Sequence, residues 1–312
     1  MEYRNLGRSG LLVSAVGLGC NNFGRRADLA ASTAVVRKAL ELGINFFDTA
    51  DIYGPRGVSE EYLGIALGTN RREVVVATKF GGSMGDDPFS SGASRRYVMT
   101  AVEASLKRLG TDHIDLYQIH TPDPKTPLDE TMRALDDLVH QGKVRYIGHS
   151  NFAAWQVAEF HYLAQQHHLT PFISAQNEYN LLKRGIEAEL VPACQAFGVG
   201  VLPYFPLASG FLTGKYKRDA PLPEGARLSN NPAARQEHMT ERNWDILQKL
   251  TAYAERKGHT MLELSIAWLL SRPYISSVIA GATRPEQVEA NVKAEQWRLS
   301  AAEAAEVDAI AK

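Results

Sequence analysis

The chain has 312 residues, 45% of them hydrophobic and 22% charged, enough apolar material for a buried core and too much for a disordered segment. Its 34 basic residues are matched by 35 acidic ones, giving a formal net charge of −1, which excludes a general field for nucleic acid or an anionic membrane and leaves a small molecule as the expected partner. Two cysteines, Cys20 and Cys194, do not make a disulfide framework or a zinc site; with no leader in MEYRNLGRSG and no apolar run of about 18 residues, a cytoplasmic protein is expected.

In chain order, YRNLGRSGLLVS gives two short runs about a Gly-Arg-Ser-Gly turn, a predicted hairpin that could plug the floor of a barrel. Short β-branched or aromatic runs then alternate with segments of helical period. Strands are predicted over 16–18, 45–48, 74–78, 114–119, 146–149, 172–176, 199–203 and 277–280. Helices are predicted over 32–42, 58–67, 94–109 and 128–140, several closed by glycine as at Gly43, Gly110 and Gly142. Residues 205–240, with Pro206, Pro221, Pro223 and Pro232 among them, are too long for an ordinary connection and read as a functional or mobile loop. Helices over 242–257, 261–271 and 301–311 complete the chain. Eight βα units without a composition break predict an α/β fold, a (β/α)8 TIM barrel forming one domain over residues 1–312; an open sheet stays possible because strand order is not visible.

In such a barrel the chemistry sits at the C-terminal ends of the strands, so the residues found there are informative. The second strand ends in Asp48, followed by Asp51 and Tyr53 in FFDTADIYG, the third in Lys79 (VVVATKF), and the fourth in His120 (LYQIH). Each alone has a plainer explanation as a turn, a cap or a satisfied histidine. Together they would meet at one rim and form a coherent device. Lys79, held charged by Asp48, would stabilise the phenolate of Tyr53 and so ease proton donation, while His120 would hydrogen-bond a carbonyl oxygen. Asp51 is expected to make only a loop hydrogen bond.

These motifs, with GHSNF, PLASGFLTGKY and GATRPEQVEAN, resemble those of the aldo-keto reductases over essentially the whole chain, and more closely the bacterial and plant branches related to potassium-channel β subunits. The resemblance implies NAD(P)H-dependent reduction of aldehydes and ketones, with a tetrad falling on Asp48, Tyr53, Lys79 and His120. It implies that Ser150, Asn151 and Gln176 hold the nicotinamide carboxamide and that Tyr204 stacks on its ring. The amides of Leu207, Ser209 and Gly210 and the ammonium of Lys215 would line the pyrophosphate. Gly281, Thr283 and Arg284 would lie near the adenosine 2′-phosphate, and Gln287 and Asn291 near the adenine. Arg284 makes NADPH the expected cofactor and NADH the less favoured one.

Phe23, Phe80, Phe89 and Phe205 follow strand ends or lie in rim loops and are candidates for an apolar substrate pocket. No metal-ligand spacing emerges from the nine histidines. Two other readings compete: a nucleotide-binding regulatory subunit with little turnover, disfavoured by the two residues ahead of the hairpin, and a Schiff-base aldolase on Lys79, disfavoured by Asp48. Substrate identity and oligomeric state leave no sequence signal.

Overall fold

The computed structural model describes residues 1–312. An antiparallel hairpin of β1 (Tyr3–Asn5) and β2 (Leu12–Ser14) precedes eight parallel strands. These are β3 (Val16–Gly19), β4 (Phe46–Asp48), β5 (Val75–Phe80), β6 (Ile114–Ile119), β7 (Val144–Ser150), β8 (Phe172–Glu178), β9 (Gly200–Tyr204) and β10 (Val278–Gly281). They lie in the order β10-β3-β4-β5-β6-β7-β8-β9. The seam between β9 and β10 narrows at one bridge, where the Val201 amide donates to Tyr274 O at 3.0 Å and the Ser276 amide to Val201 O at 3.1 Å. Placing the last strand beside the first excludes the open sheet and gives the expected (β/α)8 barrel.

Helix ends follow local capping. Asp28 accepts from the Ala31 amide at 2.8 Å, so the first helix runs Leu29–Glu41 and starts earlier than its apolar period indicates. Ser94, expected as a first helical residue, is the cap of Arg95–Leu109. Residues 205–240 are not a plain loop: they carry short turns at Ala208–Thr213 and Arg227–Asn230 and a helix at Pro232–His238, pinned by buried Phe211, Leu212 and Leu228.

Strand alternation sorts the core. Phe46, Val75, Ala77, Leu116, Leu202 and Ile279 fill the barrel, closed below by Leu6 and Val13 of the hairpin, which is the predicted floor plug. Phe47, Val76, Phe80 and Tyr117 point the other way, into the layer beneath the helices. The hairpin needs glycine at Gly7: its φ is +57°, and a Cβ there would lie 2.6 Å from Gly198 O. No helix is long and apolar enough to cross a membrane.

One buried group works against stability. His149, on the outward face of β7, is 0% exposed among Phe152, Phe160 and Phe172, and neither ring nitrogen has a partner. Burial pulls its pKa down to about 3, so it is neutral at pH 7 and must be protonated on acid unfolding. Relative to an ordinary unfolded value of about 6.5, the depressed folded value means stability is present above that pH and lost as pH falls toward 3, by about 1.4 kcal/mol per unit. His149→Leu should therefore raise the urea midpoint at pH 7, by about 1–3 kcal/mol in stability, and flatten the acid slope. An unchanged slope would show that His149 does not titrate in this way.

Candidate active site

The inward rows that fill the barrel end in polar residues at its C-terminal rim. On β5 the row Val75, Ala77 continues to Lys79; on β6 Leu116 is followed by Gln118 and then His120; on β4 Phe46 is followed by Asp48. Lys79 is 0% exposed, and its Nζ donates to Asp48 Oδ2 at 2.6 Å and to Thr49 O at 2.8 Å. The other Asp48 oxygen accepts from Gln176 Nε2 at 2.8 Å and Gln118 Nε2 at 3.3 Å. A buried ion pair with its remaining lone pairs occupied can persist in a low-dielectric interior.

Tyr53 stands over this pair. Lys79 Nζ lies 5.0 Å from its ring centroid, and the His120 ring meets it edge-on at 5.7 Å. Burial holds the Tyr53 phenol above its ordinary pKa, opposed by the positive charge of Lys79. The Lys79 influence therefore has the expected sign, but desolvation outweighs it. Burial pulls the Lys79 pKa down while Asp48 and Tyr53 pull it up, and the net direction is up. Lys79 is thus an ammonium, which removes the amine nucleophile an aldolase needs. His120 is pushed down to about 3 by burial and by Lys79, so it is a neutral imidazole; its Nδ1 is buried without a partner.

The residues expected at a nicotinamide are also drawn together. Ser150 Oγ donates to Gln176 O at 2.7 Å, the Tyr204 hydroxyl to Asn151 Oδ1 at 2.8 Å, and Asn151 Nδ2 to His120 O at 3.0 Å. Asn151 is held at φ +65°, a strained setting for a non-glycine residue beside a site. Further along, Ala208, Ser209 and Gly210 take positive φ in succession. Outside the regular elements the amides of Leu207 and Ser209 have no backbone partner, whereas the Gly210 amide is already engaged by Leu207 O at 2.8 Å. A Cβ on Gly210 would come within 3.2 Å of Lys215 Nζ. At the end of β10, Gln287 Oε1 accepts from the Thr283 amide at 2.7 Å, Asn291 is buried, and the Arg284 side chain caps nothing.

The charges along this strip fit an anion. The charged neighbours that lower the Lys215 pKa, after burial, are Arg26 and Arg284, and those beside Arg227 are Arg26 and Arg25, with no carboxylate among them. Arg26 donates to Gly225 O at 2.8 Å, tying the segment after β3 to the 205–240 segment, and the Arg227 guanidinium lies 4.7 Å over the Phe205 ring. Cations gathered without counter-charges, beside strained backbone with free amides, match a dinucleotide carrying several phosphates.

Several expectations are corrected. Phe23 and Phe80 are 0% exposed and belong to the core under the helices, Phe80 stacking on Tyr117 at 4.7 Å, so they do not line an open pocket. Phe89 is 60% exposed beneath Arg96. Only Phe205, edge-on to Tyr204 at 5.2 Å, adjoins the site. Asp51 is 1% exposed, and neither carboxyl oxygen makes the expected loop hydrogen bond at ordinary geometry, although the Ile52 amide is near enough to lower its pKa. Gln118, Arg26 and Arg227 were not anticipated. Alternation along DLYQIH could have placed Gln118 beside His120, but nothing local marks the two arginines. A surface depression of about 970 Å³ lies at the other end of the barrel among Arg71, Lys143 and neighbours, where Arg71 is paired with Asp115 and Lys143 with Glu103.

The model of the Aldo/keto reductase family matches residues 15–312. The chain belongs to the aldo/keto reductase family. As an aldo/keto reductase it is an oxidoreductase of a family that carries out carbonyl reduction with nicotinamide cofactors. It is 39% identical to a putative voltage-gated potassium channel subunit beta of Schizosaccharomyces pombe, covering 95% of this chain and 89% of that one. It is 36% identical to an L-glyceraldehyde 3-phosphate reductase of Escherichia coli, covering 99% and 92%. It is 38% identical to a probable voltage-gated potassium channel subunit beta of Arabidopsis thaliana, covering 94% and 91%.

Proposed function

We propose that this aldo/keto reductase reduces aldehydes and ketones with NADPH, Tyr53 being the proton donor. The observation that carries the reading is the fully buried Lys79 ammonium, bonded to Asp48 at 2.6 Å and 5.0 Å from the Tyr53 ring. When bound, the reduced nicotinamide supplies the hydride. Tyr53 gives its phenolic proton to the carbonyl oxygen, and Lys79 stabilises the phenolate left behind. Asp48 keeps Lys79 charged, and Gln118 and Gln176 fix the carboxylate. Neutral His120, with its proton assigned to Nε2, donates a hydrogen bond to the same oxygen.

Ser150, Asn151 and Gln176 would hold the carboxamide and Tyr204 the ring. Leu207, Ser209, Gly210 and Lys215 would hold the pyrophosphate. Gly281, Thr283 and Arg284 would hold the 2′-phosphate, and Gln287 and Asn291 the adenine. Two free buried cysteines support a cytoplasmic setting, with residues 1–312 acting as one unit.

The preference for NADPH rests on Arg284. Loss of one charge-assisted hydrogen bond predicts that Arg284→Ala weakens NADPH binding about ten- to hundredfold and leaves NADH nearly unchanged, as read by fluorescence titration. Equal losses for both nucleotides would remove Arg284 from the phosphate.

The similarity to potassium channel β subunits favours one second reading, a nucleotide-binding regulatory subunit. A screen of NADPH consumption over varied aldehydes and ketones separates the two. Tight nucleotide binding without turnover on any carbonyl would support the regulatory reading.

A further inference from the structure

Asp51 is the buried acid that the proposed mechanism does not use. It lies three residues after Asp48 and two before Tyr53, and its amide donates to Lys79 O at 3.1 Å, so its backbone is fixed to the strand that carries the ammonium. The charged and titratable groups facing it are Glu60 from the helix Val58–Leu67, Arg108 and Tyr97 from Arg95–Leu109, Lys79 from β5 and Tyr117 from β6.

Every cation among them is already matched. Arg108 Nε donates to Glu60 Oε2 at 2.6 Å, and the other Glu60 oxygen accepts from Thr78 Oγ1 at 2.6 Å. Lys79 is held by Asp48. Asp51 is therefore a third carboxyl beside two neutral ion pairs. The nearby Tyr117 hydroxyl is also buried without a partner, so no side-chain donor has been recruited to carry a negative charge on Asp51.

We propose that Asp51 is a positioning residue for carbonyl reduction: kept as a neutral acid, it leaves Asp48 as the single negative charge on Lys79, and its ionisation competes for that ammonium and disables proton donation by Tyr53. The inference rests on the functional reading above. Burial, then the negative charge of Glu60, raise the Asp51 pKa to about 8, which places the change just above neutrality. An ionised Asp51 adds a second negative charge near Lys79, so less of the ammonium's field reaches the phenol and the phenol becomes a weaker acid.

The sign of the stability linkage is fixed. Asp51 has a folded pKa above its unfolded value of about 3.8, so its contribution is fully present below that value and is lost as pH rises through about 8. Asp51→Asn, which resembles the protonated acid in shape, removes that loss.

The experiment compares wild type, Asp51→Asn and Asp51→Glu as complete chains, using NADPH and an aldehyde turned over by wild type. One arm is the pH profile of kcat and KM from about pH 6 to about pH 10; the other is urea unfolding at about pH 6 and about pH 9. The expected result is that Asp51→Asn matches wild-type kcat near neutrality and exceeds it about tenfold at the alkaline end, with KM little changed, while Asp51→Glu keeps the alkaline fall. The urea midpoint of Asp51→Asn should exceed that of wild type at alkaline pH by more than at acidic pH. An alkaline limb that survives in Asp51→Asn, or an activity loss equal at all pH values, overturns the proposal. Absence of turnover by wild type on every carbonyl overturns the functional reading and the positioning role with it, whereas the urea arm then still reports whether Asp51 is held neutral.

Discussion

Tyr53→Phe should lower kcat for carbonyl reduction by about 10²–10⁴-fold, the range contributed by a positioned general acid. The substitution removes only the hydroxyl. The ring that Lys79 and His120 approach at 5.0 and 5.7 Å remains, so the site keeps its shape. Nucleotide affinity should stay within about twofold, because the residues assigned to the cofactor lie on β7, β8, β9 and beyond. The contrast between the two numbers is what identifies the role. A general defect in folding would lower both, and a purely structural Tyr53 would move neither. Retained turnover in the variant would mean that another group protonates the oxygen, and His120 would be the first to test.

Asp48→Ala should be the most damaging change to the framework. It leaves the Lys79 ammonium in a fully buried place without its counter-charge, and frees the amide donors of Gln118 and Gln176 that converge on the lost carboxylate. Stranding one member of a buried pair costs about 3–5 kcal/mol, measurable as a shift of the urea midpoint. Lys79 would then lose its proton more readily, and the charge that stabilises the Tyr53 phenolate would go with it, so kcat should fall as well. The double variant Asp48→Leu with Lys79→Met tests the cause. Removing both charges should restore much of the lost stability but none of the activity. If the double variant were as unstable as the sum of the single ones, the damage would come from lost volume and not from an unpaired charge.

The convergence of Asp48, Tyr53, Lys79 and His120 is legible in the sequence for a simple reason. Each member extends or follows an apolar strand whose inward residues fill the barrel, and β-alternation places Asp48, Lys79 and His120 on the inner side without knowledge of the fold. The same alternation sends Phe80 outward, so its assignment to a substrate pocket neglected a signal that was present. Gln118 was missed for the same reason. Other features depend on contacts that no local pattern records. Asp51 lacks partners because Arg108 is taken by Glu60 and Lys79 by Asp48, an allocation among four separate elements. Arg227 reaches Phe205 across a segment whose turns follow no period. His149 is a polar residue buried among three phenylalanines, visible in GHSNF only once the outer layer is assembled.

The proposed function requires transfer of a nicotinamide hydride to a carbonyl carbon at the site formed by Asp48, Tyr53, Lys79 and His120. Its most direct test uses NADPH carrying deuterium at the transferable position of the nicotinamide and an aldehyde from the active part of the screen, with the product examined by mass spectrometry and NMR. One deuterium on the carbinol carbon is expected for each nicotinamide oxidised, with labelled alcohol forming about 10²–10⁴-fold more slowly with Tyr53→Phe. Nucleotide that binds tightly while no labelled alcohol forms from any carbonyl would contradict it.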